Sequence, residues 1–262
     1  MPRSSTVTGL CLSVVGCLVL MSCASTTAPA SSTAAQSGST PPASSTASRL
    51  VETPGASAIG HATPCDGPRL PCTAGQHGSV RLEPALTYTV PDGWFAVGDD
   101  PTEYVLKFAS ATSDDGLFIF REPVAHSQRA DCPEAAVDPS VGRSPKDLTS
   151  WIAALPGLTA TTPTAVKVGG LSGFELTVAV APRWTHACPY SDGDPFVPLI
   201  TSDLPRSDLD WGVGGTARMR IYVLDAGAGR RLWIDVETIA GKNFDELDRR
   251  AAPVVDSFKF GA

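Results

Sequence analysis

A chain of 262 residues and 27.2 kDa that is 42% hydrophobic and 18% charged has the composition of a folded protein, which excludes disorder throughout. Twenty Lys and Arg stand against 27 Asp and Glu, a formal net charge of −7 with a pI near 5.0. That balance excludes the broad basic face that duplex nucleic acid demands, so nucleic acid is not an expected partner.

The first residues predict an export signal. Arg3 precedes a mostly apolar run over residues 7–20, too short to span the hydrocarbon comfortably, since a crossing helix needs about 20 apolar residues. The run closes on Leu20-Met21-Ser22-Cys23, which resembles the lipobox of bacterial lipoprotein signals. The resemblance implies that residues 1–22 are removed and that Cys23 carries a diacylglyceryl group, with the membrane as its partner. Two acyl chains are enough for stable anchoring. Met21 is larger than the usual occupant, and Val14-Val15-Gly16-Cys17 is a second, weaker match, so Cys17 stays open as an alternative.

Residues 24–48 carry no charge and consist of Ala, Ser, Thr, Pro and Gly apart from Gln36. Such a stretch buries too little apolar surface to offset its ordering entropy, so residues 23–60 are expected to form a lipidated cysteine and a disordered linker. As a flexible coil the linker reaches roughly 30–35 Å. Its Ser, Thr and Pro content resembles glycosylated stalks. Arg in preference to Lys, very few Asn and richness in Ala, Thr and Pro resemble proteins of high-GC actinobacteria.

Beyond the linker a single globular domain is expected over residues 61–262, and Cys65, Cys72, Cys132 and Cys188 form an even set in a chain expected outside the reducing cytosol. Four cysteines allow three connectivities. The favoured one joins Cys65 to Cys72 across Asp66-Gly67-Pro68, and Cys132 to Cys188, each beside a proline in a polar loop. By chain entropy the longer closure contributes about 4 kcal/mol and the shorter about 2.5. Zinc is the alternative, but the spacing of Cys65 and Cys72 exceeds that of a zinc knuckle and neither Cys132 nor Cys188 has a second cysteine nearby.

Strands are predicted over 86–90, 94–97, 104–108 and 117–121, the first pair meeting at the Pro91-Asp92-Gly93 turn. Ser144 predicts an N-cap, with Pro145 at the first helical position and Asp147 near the box position; Leu148, Trp151, Ile152 and Leu155 form the stripe. Strands over 165–168 and 171–180 flank the two-residue turn Gly169-Gly170. A long loop over 181–217 is expected next, broken at most by a short strand at 196–200. Met219, Ile221 and Val223, with Leu232, Ile234 and Val236, are expected to face one way from a hairpin. Asn243 is expected to cap a last helix running to about Val255. Trp94, Trp151 and Trp233 are expected in the core. With no regular alternation of strand and helix, the expected class is α+β: an antiparallel sheet of about 7–8 strands flanked by two main helices.

Tyr88-Thr89-Val90-Pro91-Asp92-Gly93-Trp94 resembles the opening of the PsbP-like fold, and Pro253-Val254-Val255-Asp256-Ser257-Phe258-Lys259-Phe260 resembles its terminal helix and closing strand. The segment 151–173 and the hairpin over 218–234 look similar to actinobacterial envelope lipoproteins of this type. The resemblance covers roughly residues 80–260. It implies a sheet covered by helices, acting as a binding or assembly module rather than an enzyme.

Catalytic residues are not assigned. Ser172 in Gly170-Leu171-Ser172-Gly173 lacks the glycine spacing and following helix of a nucleophile elbow. His61, His77, His126 and His186 show no paired ligand spacing and are expected to be solvated. Large loops on rigid sheets are where binding sites gather. The 182–215 loop holds Trp184, His186, Tyr190, Asp192, Asp194 and Trp211, a candidate ligand-binding set with rings to stack on a sugar or peptide. The plainer reading covers a sheet edge with the rings and solvates the acids. Asp192-Gly193-Asp194 falls short of a full calcium series, so no metal and no cofactor are expected.

The leading reading is a lipid-anchored extracytoplasmic binding or interaction module of the cell envelope, with a protein, glycan or lipid as ligand. The alternatives are an envelope hydrolase using Asp192, Asp194, Asp208 and Asp210, and a carrier holding a lipid or apolar ligand between sheet and helix.

Overall fold

The computed structural model describes residues 65, 69–110, 112–204, 207, 209–239 and 241–261. The expected signal peptide, Cys23 and its alternative Cys17, the linker, His61, the Asp66-Gly67-Pro68 turn and Asp208 lie outside these residues.

In chain order the elements are β1 (Gly75–Gly78), β2 (Leu86–Val90), β3 (Trp94–Asp99), β4 (Glu103–Phe108), β5 (Gly116–Arg121), β6 (Pro123–Ala125), α1 (Pro145–Ala153), β7 (Leu158–Ala160), β8 (Thr164–Val168), β9 (Leu171–Val180), β10 (Phe196–Ser202), β11 (Asp210–Gly214), β12 (Arg218–Gly227), β13 (Arg230–Thr238), α2 (Phe244–Asp256) and β14 (Lys259–Phe260). An eight-stranded antiparallel sheet runs β3-β4-β5-β13-β12-β9-β7, with β8 paired to the half of β9 that β7 leaves open. Eight antiparallel strands with two main helices are the α+β arrangement expected from the sequence.

Each face of that sheet is covered. On one side lie α2 and a small sheet ordered β1-β2-β14; on the other lie α1 and a second small sheet ordered β11-β10-β6. The Pro91-Asp92-Gly93 turn therefore carries the chain from one sheet to another instead of closing a hairpin.

Double coverage corrects the expected facing of the β12–β13 hairpin. Val223 stands opposite Trp233 and Ile221 opposite Asp235, and directly opposed residues in an antiparallel ladder share a face. Met219, Ile221, Val223 and Trp233 pack toward α1, whereas Leu232, Ile234 and Val236 pack toward α2 with Tyr222 and Leu224. The two apolar series point to opposite sides.

Within the segment expected as a long loop, the short strand expected at 196–200 is present as β10 and runs on to Ser202, while its hairpin partner β11 and its pairing with β6 along the other edge were not expected. Its signal is obscured because the register shifts between Pro198 and Ile200, which resets the alternation, and a proline interrupts the apolar run.

At the start of α1 the Ser144 side chain accepts from the Asp147 N–H at 3.1 Å and the Asp147 carboxylate accepts from the Ser144 N–H at 3.3 Å, a reciprocal capping box. Asn243 does stand at the head of α2, but its side chain makes no capping bond; Asp245 and Glu246 supply negative charge to that end instead. Phe244, Leu247, Ala251, Val254 and Val255 form the buried stripe of α2. Disulfides join Cys65 to Cys72 and Cys132 to Cys188, the favoured pairing. Among the described residues no helix is long and apolar enough to cross a membrane.

Two substitutions separate local from global contributions. A Cβ on Gly173 would lie 2.0 Å from the Val223 carbonyl oxygen of the neighbouring strand, so Gly173→Ala is expected to cost on the order of 3 kcal/mol by forcing β9 from β12. Ser144→Ala removes only the cap and is expected to cost about 1 kcal/mol. Chemical denaturation of both variants measures the difference.

Candidate functional site

Two loops on the β10 side of the molecule are drawn together by the Cys132–Cys188 disulfide, whose Cα atoms are 5.5 Å apart. The first leaves β6. His126 donates its N–H to the Leu199 carbonyl, Gln128 donates from Nε2 to the Pro198 carbonyl at 2.7 Å, and a turn closes from Cys132 N–H to the Arg129 carbonyl. The second follows β9. The Phe196 N–H bonds to the His186 carbonyl, and a turn from Cys188 to Ser191 closes on both backbone and hydroxyl.

Between the loops is a half-enclosed cleft of about 270 Å³, lined by Gln128, Arg129, Ala130, Cys132, Pro156, Trp184, His186 and Pro198. The Trp184 indole N–H donates to the Phe196 carbonyl at 3.0 Å, fixing the ring. Its other support is Gly157, where a Cβ would sit 2.8 Å from the indole Cε2. The turn that ends α1 is therefore also a seat for the tryptophan. His186 meets Trp184 edge-on at 5.8 Å between centroids, and its Nε2 lies 3.3 Å from Cys132 Sγ. Cys132, His186 and Cys188 bring three potential metal-ligand atoms within 4.8 Å of one another, but both sulfurs are spent in the disulfide.

The remaining sequence candidates do not join this cleft. Tyr190 faces a shallower hollow of about 370 Å³ with Glu134, Ser207 and Asp210. Burial first, and then the Asp210 and Glu134 charges, push its phenol up to about 12. Asp192 and Asp194 are exposed in a turn with no third carboxylate gathered to them among the described residues. Trp211, in β11, packs over Phe118 and Phe120 at 4.8 and 5.1 Å between centroids and belongs to the apolar layer. Ser172 sits on β9 opposite Lys167, on a strand as its sequence context implies.

Two histidines expected in solvent are buried. His126 is fully buried, with Nδ1 2.7 Å from the Ser127 carbonyl and Nε2 2.9 Å from Asp210 Oδ1, at an angle short of a hydrogen bond. Asp210 accepts from the Ala135 N–H at 3.0 Å through its other oxygen, so this acid locks a loop to β11. His77 is buried against the Thr73 carbonyl at 2.7 Å. In each case a backbone carbonyl near the imidazole makes burial tolerable.

Sequence reasoning missed a buried acidic pair. Asp235 and Glu237 lie on the α1-facing side of β13, close to Lys107 of β4. Asp235 accepts from the Trp233 indole N–H at 2.6 Å. The Lys107 ammonium lies 4.2 Å over the Phe118 ring. Burial pushes Asp235 up to about 7, its indole bonds and Lys107 working the other way. Burial and the Asp235 charge hold Glu237 well above the carboxylate range. Two carboxylates facing one ammonium leave a negative charge in excess, and a retained proton removes it. The signal was Trp233, a large apolar residue in the supposedly outward phase of β13.

No protein-family model and no curated protein sequence matches the chain. Among solved structures it is similar to the solution structure of cyanobacterial PsbP (CyanoP) from Synechocystis sp. PCC 6803, at 14% identity over 72% of this chain and 94% of that one, TM-score 0.38. It is also similar to LpqN, involved in cell envelope biogenesis of Mycobacterium tuberculosis, at 11% identity over 74% and 91%, TM-score 0.36. With identity this low and TM-scores under 0.5 the likeness is one of outline, and what the cleft binds rests on its own residues.

The acidic pair fixes the sign of the pH response. Unfolded carboxylates titrate near 4, so between that value and about 7 Asp235 holds a proton in the folded chain that it has lost in the unfolded one. Stability is therefore expected to fall as pH rises through this window. The thermal midpoint should be higher at pH 5 than at pH 8, and Asp235→Asn should raise it at pH 8 and flatten the dependence. A midpoint that climbs from pH 5 to pH 8 contradicts this assignment.

Proposed function

We propose that this protein is a lipid-anchored binding module held at the outer face of the cytoplasmic membrane through Cys23, and that the Trp184 cleft takes a ring-bearing unit of an envelope glycan. The observation that carries the ligand half is the preset indole. Its N–H is already satisfied by the Phe196 carbonyl, so the ring offers its π-surface at little entropic cost. Pro156 and Pro198 supply stiff apolar walls, and Arg129, which spends one bond on Asp131, supplies charged donors. Few polar groups on a mostly apolar concave surface are the usual make-up of a small-ligand site.

The same geometry favours binding over the hydrolase alternative. Asp210 is engaged by His126 and the Ala135 N–H, and Asp192 and Asp194 project from an exposed turn. For the carrier alternative, the spaces between the large sheet and its two covers are occupied by buried side chains, among them Trp233, Leu247, Ile152 and Val254. The anchoring half rests on the lipobox-like Leu20-Met21-Ser22-Cys23 and the uncharged tether behind it.

Metabolic labelling with palmitate tests the anchor: label is expected in the wild-type chain and lost in Cys23→Ser, which should leave the membrane fraction. Equal labelling and equal fractionation of the two overturn it. Titration of the full chain with soluble cell-wall glycan fragments tests the cleft. Trp184→Ala is expected to weaken binding about tenfold or more, with its fold verified by circular dichroism because the ring also packs against the α1-side core. Unchanged affinity in Trp184→Ala places the ligand elsewhere.

A further inference from the structure

We infer that the Cys132–Cys188 disulfide is a thiol-exchange site, attacked at Cys132 by a low-molecular-weight thiol that enters the Trp184 cleft. The inference uses the cleft but depends on neither the lipid anchor nor the glycan.

Three observations converge on Cys132. Cys132 is part of the cleft wall although it is only 3% exposed, which makes the cleft the route by which a small thiol would approach it. His186 also lines the cleft, and its Nε2 lies 3.3 Å from Cys132 Sγ, so that in the Nδ1–H tautomer a proton acceptor stands beside the sulfur that an incoming thiol must reach. The backbone of Cys132 is held at φ +41°, a left-handed conformation that L residues other than glycine seldom adopt and that recurs at reactive positions.

The other disulfide provides the contrast. Cys65 and Cys72 sit in the apolar layer against α2, and the polar group near Cys65 Sγ is the Tyr88 hydroxyl at 3.5 Å. Burial raises the Tyr88 phenol far above its ordinary range, and the hydroxyl is shared with Tyr104. It therefore cannot take a proton from a thiol near neutral pH.

The step balances without any further reagent. The incoming thiol gives its proton to His186 Nε2, and the resulting thiolate attacks Cys132 Sγ. A new sulfur–sulfur bond forms there as the Cys132–Cys188 bond breaks, and the electron pair leaves on Cys188 Sγ. The products are a mixed disulfide on Cys132 and a Cys188 thiolate, which lies within 4.8 Å of the protonated imidazole in the starting geometry. A cation beside a thiolate stabilises it as leaving group. A second thiol completes reduction of the pair.

The test treats the purified full chain, with any free thiols among Cys11, Cys17 and Cys23 alkylated beforehand, with excess glutathione at neutral pH. The reaction is quenched with N-ethylmaleimide and mapped by peptide mass spectrometry. Glutathione is expected on Cys132 and N-ethylmaleimide on Cys188, formed about tenfold or more faster than any product at Cys65 or Cys72. His186→Ala and His186→Gln, each verified as folded by circular dichroism, are expected to slow that product about tenfold or more, the deficit shrinking as pH rises and the free thiolate becomes abundant. Glutathione found first on Cys188, equal rates at the two disulfides, or His186 variants that react as fast as wild type each overturn the inference. The wild-type map stands alone should the variants fail to fold, and loss of glycan binding leaves it untouched.

Discussion

Strands β12 and β13 send apolar side chains toward both helices, so the centre of the large sheet has to be covered twice. The chain supplies the two covers from segments far apart in sequence: β1, β2, α2 and β14 on one side, β6, α1, β10 and β11 on the other. Every other feature follows from that demand. It folds a segment rich in proline and glycine into the β10–β11 hairpin, which with β6 makes a three-stranded lid, and it brings the two disulfide-bonded loops to that side of the molecule. It also leaves no outward phase for the polar residues of β13, which is why Asp235 and Glu237 are interior.

Those interior acids show how a double-sided sheet handles polar residues it cannot expel. Trp233 belongs to the apolar packing toward α1 and at the same time donates its indole N–H to Asp235. Lys107 reaches the same region with its ammonium over Phe118. The cluster is thus sealed among aromatic rings, where charge is expensive and a proton is the cheapest remedy. The cleft at Trp184 differs: His186 is partly exposed, and the indole N–H is held by a backbone carbonyl while its ring packs at the edge of the α1-side core.

Much of the fold was legible because its signals were local. Ser144, Pro145 and Asp147 specify a helix start by short-range bonds, and Gly169-Gly170 specifies a turn by backbone freedom. Of the β10–β11 hairpin only the start of β10 was legible, since Pro198 and a register shift erase the alternation that marks a longer strand. Facing along β13 was misread for a different reason: with both faces buried, alternation of apolar with polar residues no longer reports inside against outside. Of the candidate site, Trp184 and His186 were identifiable as aromatic residues on a loop near a cysteine, whereas Arg129 and Pro156 reach the same cleft from distant segments that nothing in the linear order connects. Trp211 shares the segment with Trp184 but turns inward, a distinction set by strand phase in β11.

Strand β14 pairs with β2, Lys259 opposite Thr87 and Phe260 opposite Leu86, and Ser257 Oγ accepts from the Thr89 N–H at 2.8 Å. The partners of that ladder are separated by nearly the whole domain, 168 residues between Thr89 and Ser257. Closing it fixes a loop far longer than any local contact does, so its entropy cost makes this pairing a late event in folding.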